Sequence, residues 1–274
     1  MRKCKMRFFL LGILLVVPTL SAQNFSFYMA GGYGLPRGQD YWNSSMTYNE
    51  DHELVKEEDH YLSIGKGIPF EAGLIYSLSP KLNLRLAGVY SQMSPDLVVE
   101  QHYLSDGTVD SETYTASWVG GRADLFFTHP FKKCQLYTGV GCGLFFGTIK
   151  QMEIDEEENL PSYKYEYVYR MNPALGLNGF LGLSKSLNSR LSLFAEFYFQ
   201  QMSFLVKEYE ILKAERDGVS ILDEIDLDWA KEGNQTVQKY TKDSVQSNSP
   251  EVIQGSSCGI KAGIRVRLGN IKTP

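Results

Sequence analysis

Beyond its first two dozen residues the chain has no uncharged apolar run long enough for a membrane helix, which needs about 20 residues, so no helical span is expected there. Cysteine is scarce, four in 274 residues. Cys134 and Cys142 fall eight positions apart on one expected strand, roughly 26 Å at about 3.3 Å per residue, too far to pair. With Cys258 they read as small apolar side chains, which excludes a disulfide framework or a cysteine metal site. Histidine is equally sparse (His52, His60, His102 and His129), and a net charge of −5 offers no basic surface for nucleic acid. No cofactor motif is present, so none is expected.

What is present begins at the N-terminus. Arg2, Lys3, Lys5 and Arg7 precede an apolar run from Phe8 to Val17, followed by Ser21-Ala22-Gln23. A basic region, a short apolar region and a small residue at the cleavage point make a secretory signal peptide over residues 1–22. Leu20 is larger than the residue usual two places before such a cut. Cys4 precedes the apolar run, too early to be a lipoprotein cysteine.

From residue 23 onward, eight segments alternate apolar and polar residues with a period of two. They are approximately 25–34, 68–78, 82–94, 115–128, 134–149, 168–183, 190–204 and 255–268. In the clearest, Leu191, Leu193, Ala195, Phe197 and Phe199 share one face, opposite Arg190, Ser192, Glu196 and Gln200. Short turns at Ser79-Pro80-Lys81, His129 to Lys133 and Ser184 to Ser189 alternate with long connections at 35–67, 95–114, 150–167 and 205–254. All the long connections therefore emerge on one side. This rhythm predicts an all-β, membrane-spanning, antiparallel up-and-down barrel of eight strands with four long external loops. Its termini are expected to be periplasmic and its location the outer membrane of a Gram-negative cell. A soluble sandwich also alternates, but would leave a ring of exposed aromatics unexplained.

The apolar face expected toward lipid carries Ile68, Phe70, Leu74 and Tyr76, then Leu82, Leu84, Leu86 and Tyr90, with Val119, Leu125 and Phe127 next. It continues through Leu136, Val140, Leu144, Phe146, Tyr169, Leu175, Leu177 and Leu181 to Ile260, Ile264, Val266 and Leu268. Glycines within strands (Gly120, Gly121, Gly139, Gly141, Gly143, Gly176) would relieve crowding in so narrow a barrel. The long connections hold 29 of the 32 acidic residues against 11 basic ones, leaving them a formal charge of about −18. Divalent cations would relieve that repulsion.

The three remaining acids, Glu71, Asp124 and Glu196, all fall on the inward face. Arg85, Arg122, Arg170, Lys261, Arg265 and Arg267 are expected there too, with Gln135, Asn172, Asn178 and Gln200. Charges confined in a narrow lumen need partners. Asp124 with Arg85, and Glu196 with Lys261, come at similar heights on neighbouring strands. The expected lumen network is Glu71, Arg85, Arg122, Asp124, Glu196, Lys261 and Arg265. Tyr28, Trp118, Phe126, Tyr137, Phe145, Phe180, Phe194 and Tyr198 fill the remainder, giving a plugged lumen.

This architecture, with Ser21-Ala22-Gln23 and the closing strand Gly259-Ile260-Lys261-Ala262-Gly263-Ile264-Arg265-Val266-Arg267-Leu268, resembles the small eight-stranded outer-membrane barrels of the OmpA/OmpX/OmpW and PorT-like group. The likeness spans residues 23–270 and rests on pattern. Such barrels usually end on an aromatic residue read by the assembly machinery, whereas this chain runs past Leu268 to Pro274. The resemblance implies outer-membrane lipid, lipopolysaccharide and the assembly machinery as partners, with a surface or secretion-system protein as a further one. It also implies porin-like, structural or cell-surface roles, among which fold alone does not choose.

Three functions follow as expectations: a non-enzymatic plugged barrel presenting acidic loops, a narrow channel for small solutes, and, weaker, a lipid-modifying enzyme. For the enzyme, His102 with Ser94 or Ser105 is the conceivable pair, but no orienting acid is specified. Asp155-Glu156-Glu157-Glu158 lacks the glycine and spacing of a calcium loop and reads as a solvated charged run. Residues 205–232, where Tyr209, Leu212, Leu227 and Trp229 stand among many acids, are open to three readings: strand 7 continuing above the membrane, a short helix, or a partner-binding loop, since surface apolar side chains need cover from the other loops or from another protein.

Overall fold

A computed structural model describes residues 25–37, 40–94, 96–103, 108–156, 161–221, 237–239 and 252–268. The expected signal segment 1–22 lies outside these residues. The described chain is all strand and turn: β1 Phe25–Pro36, β2 Asp40–Tyr48, β3 Leu54–Leu62, β4 Ile68–Ser77, β5 Leu82–Gln92, β6 Leu97–Tyr103, β7 Thr108–Phe131 and β8 Cys134–Glu156. Then come β9 Tyr163–Met171, β10 Ala174–Ser186, β11 Leu191–Gln201, β12 Ser203–Arg216, β13 Val219–Ser220, β14 Val237–Lys239, β15 Val252–Gln254 and β16 Ser257–Arg267.

Eight of these strands pair antiparallel in a circuit. β1 joins β4, β4 joins β5, β5 joins β7, and β7 joins β8. β8 joins β10, β10 joins β11, β11 joins β16, and β16 returns to β1. Alternation dictates the faces, since successive side chains point to opposite sides of a strand. Tyr28, Phe126, Phe145, Phe180, Phe194 and Tyr198 are buried inside the circuit, while Leu175 (83 % exposed), Val140 (69 %) and Ile260 (65 %) face out.

Among the described residues there are sixteen strands against the expected eight, because the described parts of the long connections carry strands of their own. β7 and β8 stay paired from Phe131–Cys134 out to Val109–Glu156. β6 adds to the β7 edge, β2 and β3 extend beyond it, β9 adds to β8, and β12 to β9. Alternation persists in these segments because the extension has its own buried side, including Val99, Tyr114, Ile149 and Ala214. The Asp217-Gly218 turn beyond β12 has φ of 50° and 76°, the left-handed pair that a two-residue hairpin demands.

Three expected strands are interrupted. The segment 168–183 breaks at Asn172-Pro173, where proline offers no N–H to the ladder. The segment 190–204 breaks at Met202, and the chain leaves β5 after Gln92. Conversely, the turn expected at His129 shrinks to Lys132-Lys133, and His129 lies within β7.

Candidate functional site: a buried ring of six charges

Six of the seven side chains expected in the interior network meet there, and they form a ring of alternating sign. Arg122 Nε donates to Asp124 Oδ2 at 3.0 Å, and the same oxygen accepts from Arg85 Nε at 2.6 Å. Arg85 Nη1 reaches across the interior to Glu196 Oε2 at 2.8 Å. Glu196 Oε1 lies 3.1 Å from Lys261 Nζ, which donates to Glu71 Oε2 at 2.7 Å. Glu71 Oε2 then returns to Arg122 Nη2 at 2.8 Å, closing the ring.

All six side chains are 4 % exposed or less. Three carboxylates and three cations sum to zero, which lets so many buried charges coexist. Each comes from a strand position whose parity points inward. Arg85 stands directly opposite Asp124 across β5 and β7, and Glu196 opposite Lys261 across β11 and β16. Further partners hold the ring: Asn178 Nδ2 donates to Asp124 Oδ1 at 3.2 Å, Arg85 lies 4.0 Å over the Phe180 ring, and Lys261 lies 4.6 Å over Tyr198.

The seventh residue, Arg265, is not part of this ring. It sits nearer the turns, with the Gly263 position between it and Lys261 on β16, and has the Phe126 and Tyr137 rings at 6.0 and 5.9 Å. Arg170 and Asn172, also expected inside, are exposed, and Arg170 pairs with Glu210 at 3.1 Å. Tyr169, expected to face lipid, packs toward the buried cluster. All three errors come from treating 168–183 as one strand. The break at Pro173 separates β9 from β10, so alternation counted from one does not carry to the other.

On the far side of the ring from the turns lies an apolar layer. Residues 63–67, between β3 and β4, fold inward so that Ile64, Phe204 and Ile253 are fully buried, beside Met202 and Trp118. Trp118 Nε1 donates to the Ile64 carbonyl at 3.1 Å, and Gly34 and Gly67 exchange backbone hydrogen bonds at 2.7 and 3.1 Å. A side chain at Gly65 would meet the Ser256 carbonyl at 2.3 Å, and Gly67 has a φ of 147°, so this inward turn depends on both glycines.

Other sequence candidates separate. Leu212 lies on β12 and is exposed, whereas Leu227 and Trp229 lie outside the described residues. Tyr209, also on β12, pairs through its backbone with Tyr169 of β9. His102 Nε2 lies 3.0 Å from Glu100, not beside Ser94. Ser105 lies outside the described residues. An unexpected contact is Ser45 Oγ to His60 Nε2 at 2.6 Å. Ser45 Oγ also accepts the Glu100 N–H at 2.8 Å, so the bond ties β2 to β3 and β6. A register shift between Tyr41 and Asn43 brings the pair together, which alternation alone could not signal.

Sequence reading also missed two acidic cross-strand pairs on the extension: Asp110 opposite Asp155, and Glu112 opposite Glu153. Burial, with repulsion from Asp155 and Glu112, raises the Glu153 pKa to about 7. Among the described residues no group of three or more His, Cys, Asp or Glu could hold a metal ion. The described cysteines, Cys134, Cys142 and Cys258, are free.

No family model matches the chain, and no curated protein matches it. Among solved structures, Neisserial surface protein A matches 89 % of this chain and 97 % of its own, at 11 % identity and a TM-score of 0.42. The outer membrane protease OmpT of Escherichia coli matches 89 % and 93 %, at 8 % identity and a TM-score of 0.25.

Proposed function

We propose that the chain is an eight-stranded, membrane-spanning β-barrel of a Gram-negative outer membrane. In this reading it is non-enzymatic, its lumen is plugged, and it presents an acidic, strand-built extension for a structural or interaction role at the cell surface. The observation that carries the plugged reading is the ring of six charges, because Arg85 of β5 and Glu196 of β11 bridge the interior from non-adjacent strands. Opening a conducting path past them means separating buried ion pairs with no replacement partners, which is strongly unfavourable. The apolar layer at Ile64, Phe204 and Ile253 is a second closure in series.

Membrane insertion is supported by the outer surface. Along β8 the outward positions from Leu136 through Val140, Cys142 and Leu144 to Phe146 are almost wholly apolar, and Lys150 follows. Ten residue steps of about 3.3 Å, tilted by roughly 40°, give a height of about 25 Å, the apolar band of an outer-membrane barrel. Leu74, Leu86, Leu125, Leu181, Phe197 and Ile264 continue the exposed face on neighbouring strands. A soluble protein rarely leaves so continuous an apolar belt in water. Outer-membrane lipid and lipopolysaccharide are the partners this belt suits. The assembly machinery would insert it, and a surface or secretion-system protein would meet the extension.

The test is electrical. Folded protein in a planar bilayer is expected to show no stable conductance. Reproducible wild-type conductance of porin size would replace this reading with that of a solute channel.

A further inference from the structure

At the turn end the interior opens into a cavity of about 680 Å³, and every charged side chain lining it is an arginine: Arg190, Arg265 and Arg267. The three carboxylates of the neutral ring above are ion-paired within it, and none makes an ion pair with these three. Arg265 makes no ion pair among the described residues, and its Nε is buried without a hydrogen-bond partner. Two aromatic rings flank its guanidinium, which holds the charge in place but satisfies none of its N–H groups.

The surroundings are arranged as donors. Asn188 Oδ1 accepts the backbone N–H groups of Arg190 and Leu191, both at 2.8 Å, leaving the Asn188 amide NH₂ for the cavity. The Arg267 N–H donates to the Arg190 carbonyl at 2.8 Å, which locks the β10–β11 turn against the end of β16 and keeps the arginines together. Asn83 and Gln135 line the opposite wall.

We propose that this vestibule is an anion site that takes a phosphate group. Arginine's planar fork suits two oxygens at once. Three forks with amide donors and no lining carboxylate match a tetrahedral oxyanion and repel a cation. The phosphate could be free or belong to a lipid headgroup; the chemistry of recognition is the same. The site lies on the opposite side of the charge ring from the acidic extension, and it extends the proposed function without depending on it.

The test is nuclear magnetic resonance of arginine Nε–H groups in the full-length folded protein, held in uncharged maltoside micelles. One arm titrates inorganic phosphate against sodium chloride of equal ionic strength. A second dopes the micelles with phosphatidylglycerol. A saturable shift of the Arg265 signal, with Arg85 unmoved, is expected. Arg265→Gln, and separately Arg190→Gln at the exposed turn, should weaken the affinity at least about tenfold, the loss of one charge-assisted hydrogen bond. Saturation by inorganic phosphate assigns a soluble ligand, and saturation by the lipid alone assigns a headgroup. Arg190→Gln leaves the interior untouched, so it reports even if Arg265→Gln fails to fold. No saturable shift in either arm, or equal binding by Arg190→Gln, overturns the proposal.

Discussion

Gly141 stands directly opposite Asp124 on the β7–β8 ladder, and a Cβ placed there would lie 1.9 Å from Asp124 Oδ1. The absent side chain is therefore the space the carboxylate occupies. Asp124 is tied on its other oxygen to both Arg85 and Arg122, so it has no free direction in which to retreat. Gly141→Ala should destabilise the protein by about 1–3 kcal/mol, the usual cost of overpacking. Gly121→Ala, whose Cβ would meet only the Ala87 carbonyl at 3.8 Å, should cost far less. Urea unfolding of the two variants in micelles measures the difference. Equal midpoints would mean that the interior is loose and the ring not rigidly held.

A second prediction concerns the ring's dependence on balance. Arg85 touches Asp124, Glu196 and, at 3.8 Å, Glu71. Arg85→Met leaves three carboxylates facing two cations, and should cost about 3–5 kcal/mol, as for a buried pair deprived of one partner. Adding Asp124→Asn to Arg85→Met removes one surplus charge and should recover a substantial part of that loss. A double variant no more stable than the single one would mean that the ion pair contributes only through its volume.

How far the sequence carries this picture depends on what a period of two can report. Parity along a strand tells inside from outside, so Glu71, Asp124 and Glu196 could be separated from the other acids before any pairing was known. Turn lengths then give heights, which place Arg85 beside Asp124. The contact between Arg85 and Glu196 was out of reach, since it joins strands that are not neighbours and depends on the length of arginine across the interior. Parity misplaces Arg170 because one proline ends the strand along which it is counted. The facing acids Glu112 and Glu153 were hidden for a different reason. They lie in the segments 95–114 and 150–167, which the sequence reading assigns to long connections, although Met152 and Ile154 alternate with Glu153 and Asp155 as in any half-buried strand.

Orientation gives a third prediction. The described chain ends, Phe25 and Leu268, meet at the same end of the circuit as the short turns, where the Leu268 N–H donates to the Phe25 carbonyl at 2.8 Å. If the extension is external, a membrane-impermeant maleimide added to intact cells should label Val219→Cys, at the exposed β13 turn, and leave Lys132→Cys unlabelled. Both should label after lysis. The free cysteines Cys134, Cys142 and Cys258, outward on the apolar belt, should stay unreactive in intact cells. Labelling at position 132 with protection at 219 would reverse the topology and place the acidic extension in the periplasm.

The last prediction follows from the facing acids. Glu153 lies on β8 beyond the apolar band, opposite Glu112, with Asp110 opposite Asp155 two residues further out. Like charges directly across an antiparallel pair destabilise it. Partial burial is the largest cause of the rise of the Glu153 pKa to about 7, followed by the charges of Asp155, Glu112 and Asp110, while a hydrogen bond with Tyr167 opposes it. Asp155 is raised in the same direction, first by burial and then by Asp110 and Glu112. A carboxyl whose pKa is higher when folded holds its proton while the unfolded chain has already released one. The folded extension therefore binds more protons, and its stability falls as pH rises from the ordinary carboxylate range to about 7, then levels off. Hydrogen exchange of the backbone amides of residues 109–113 and 151–155 should accordingly show, after correction for intrinsic exchange rates, more frequent opening at neutral pH than near pH 5. Amides of the apolar band should not change. Glu153→Gln removes one titrating group and its share of the repulsion, so it should reduce the pH dependence and leave only the part that Asp155, facing Asp110, contributes. A pH profile unchanged by that substitution would assign the effect to other acids and leave Glu153 an ordinary solvated carboxylate.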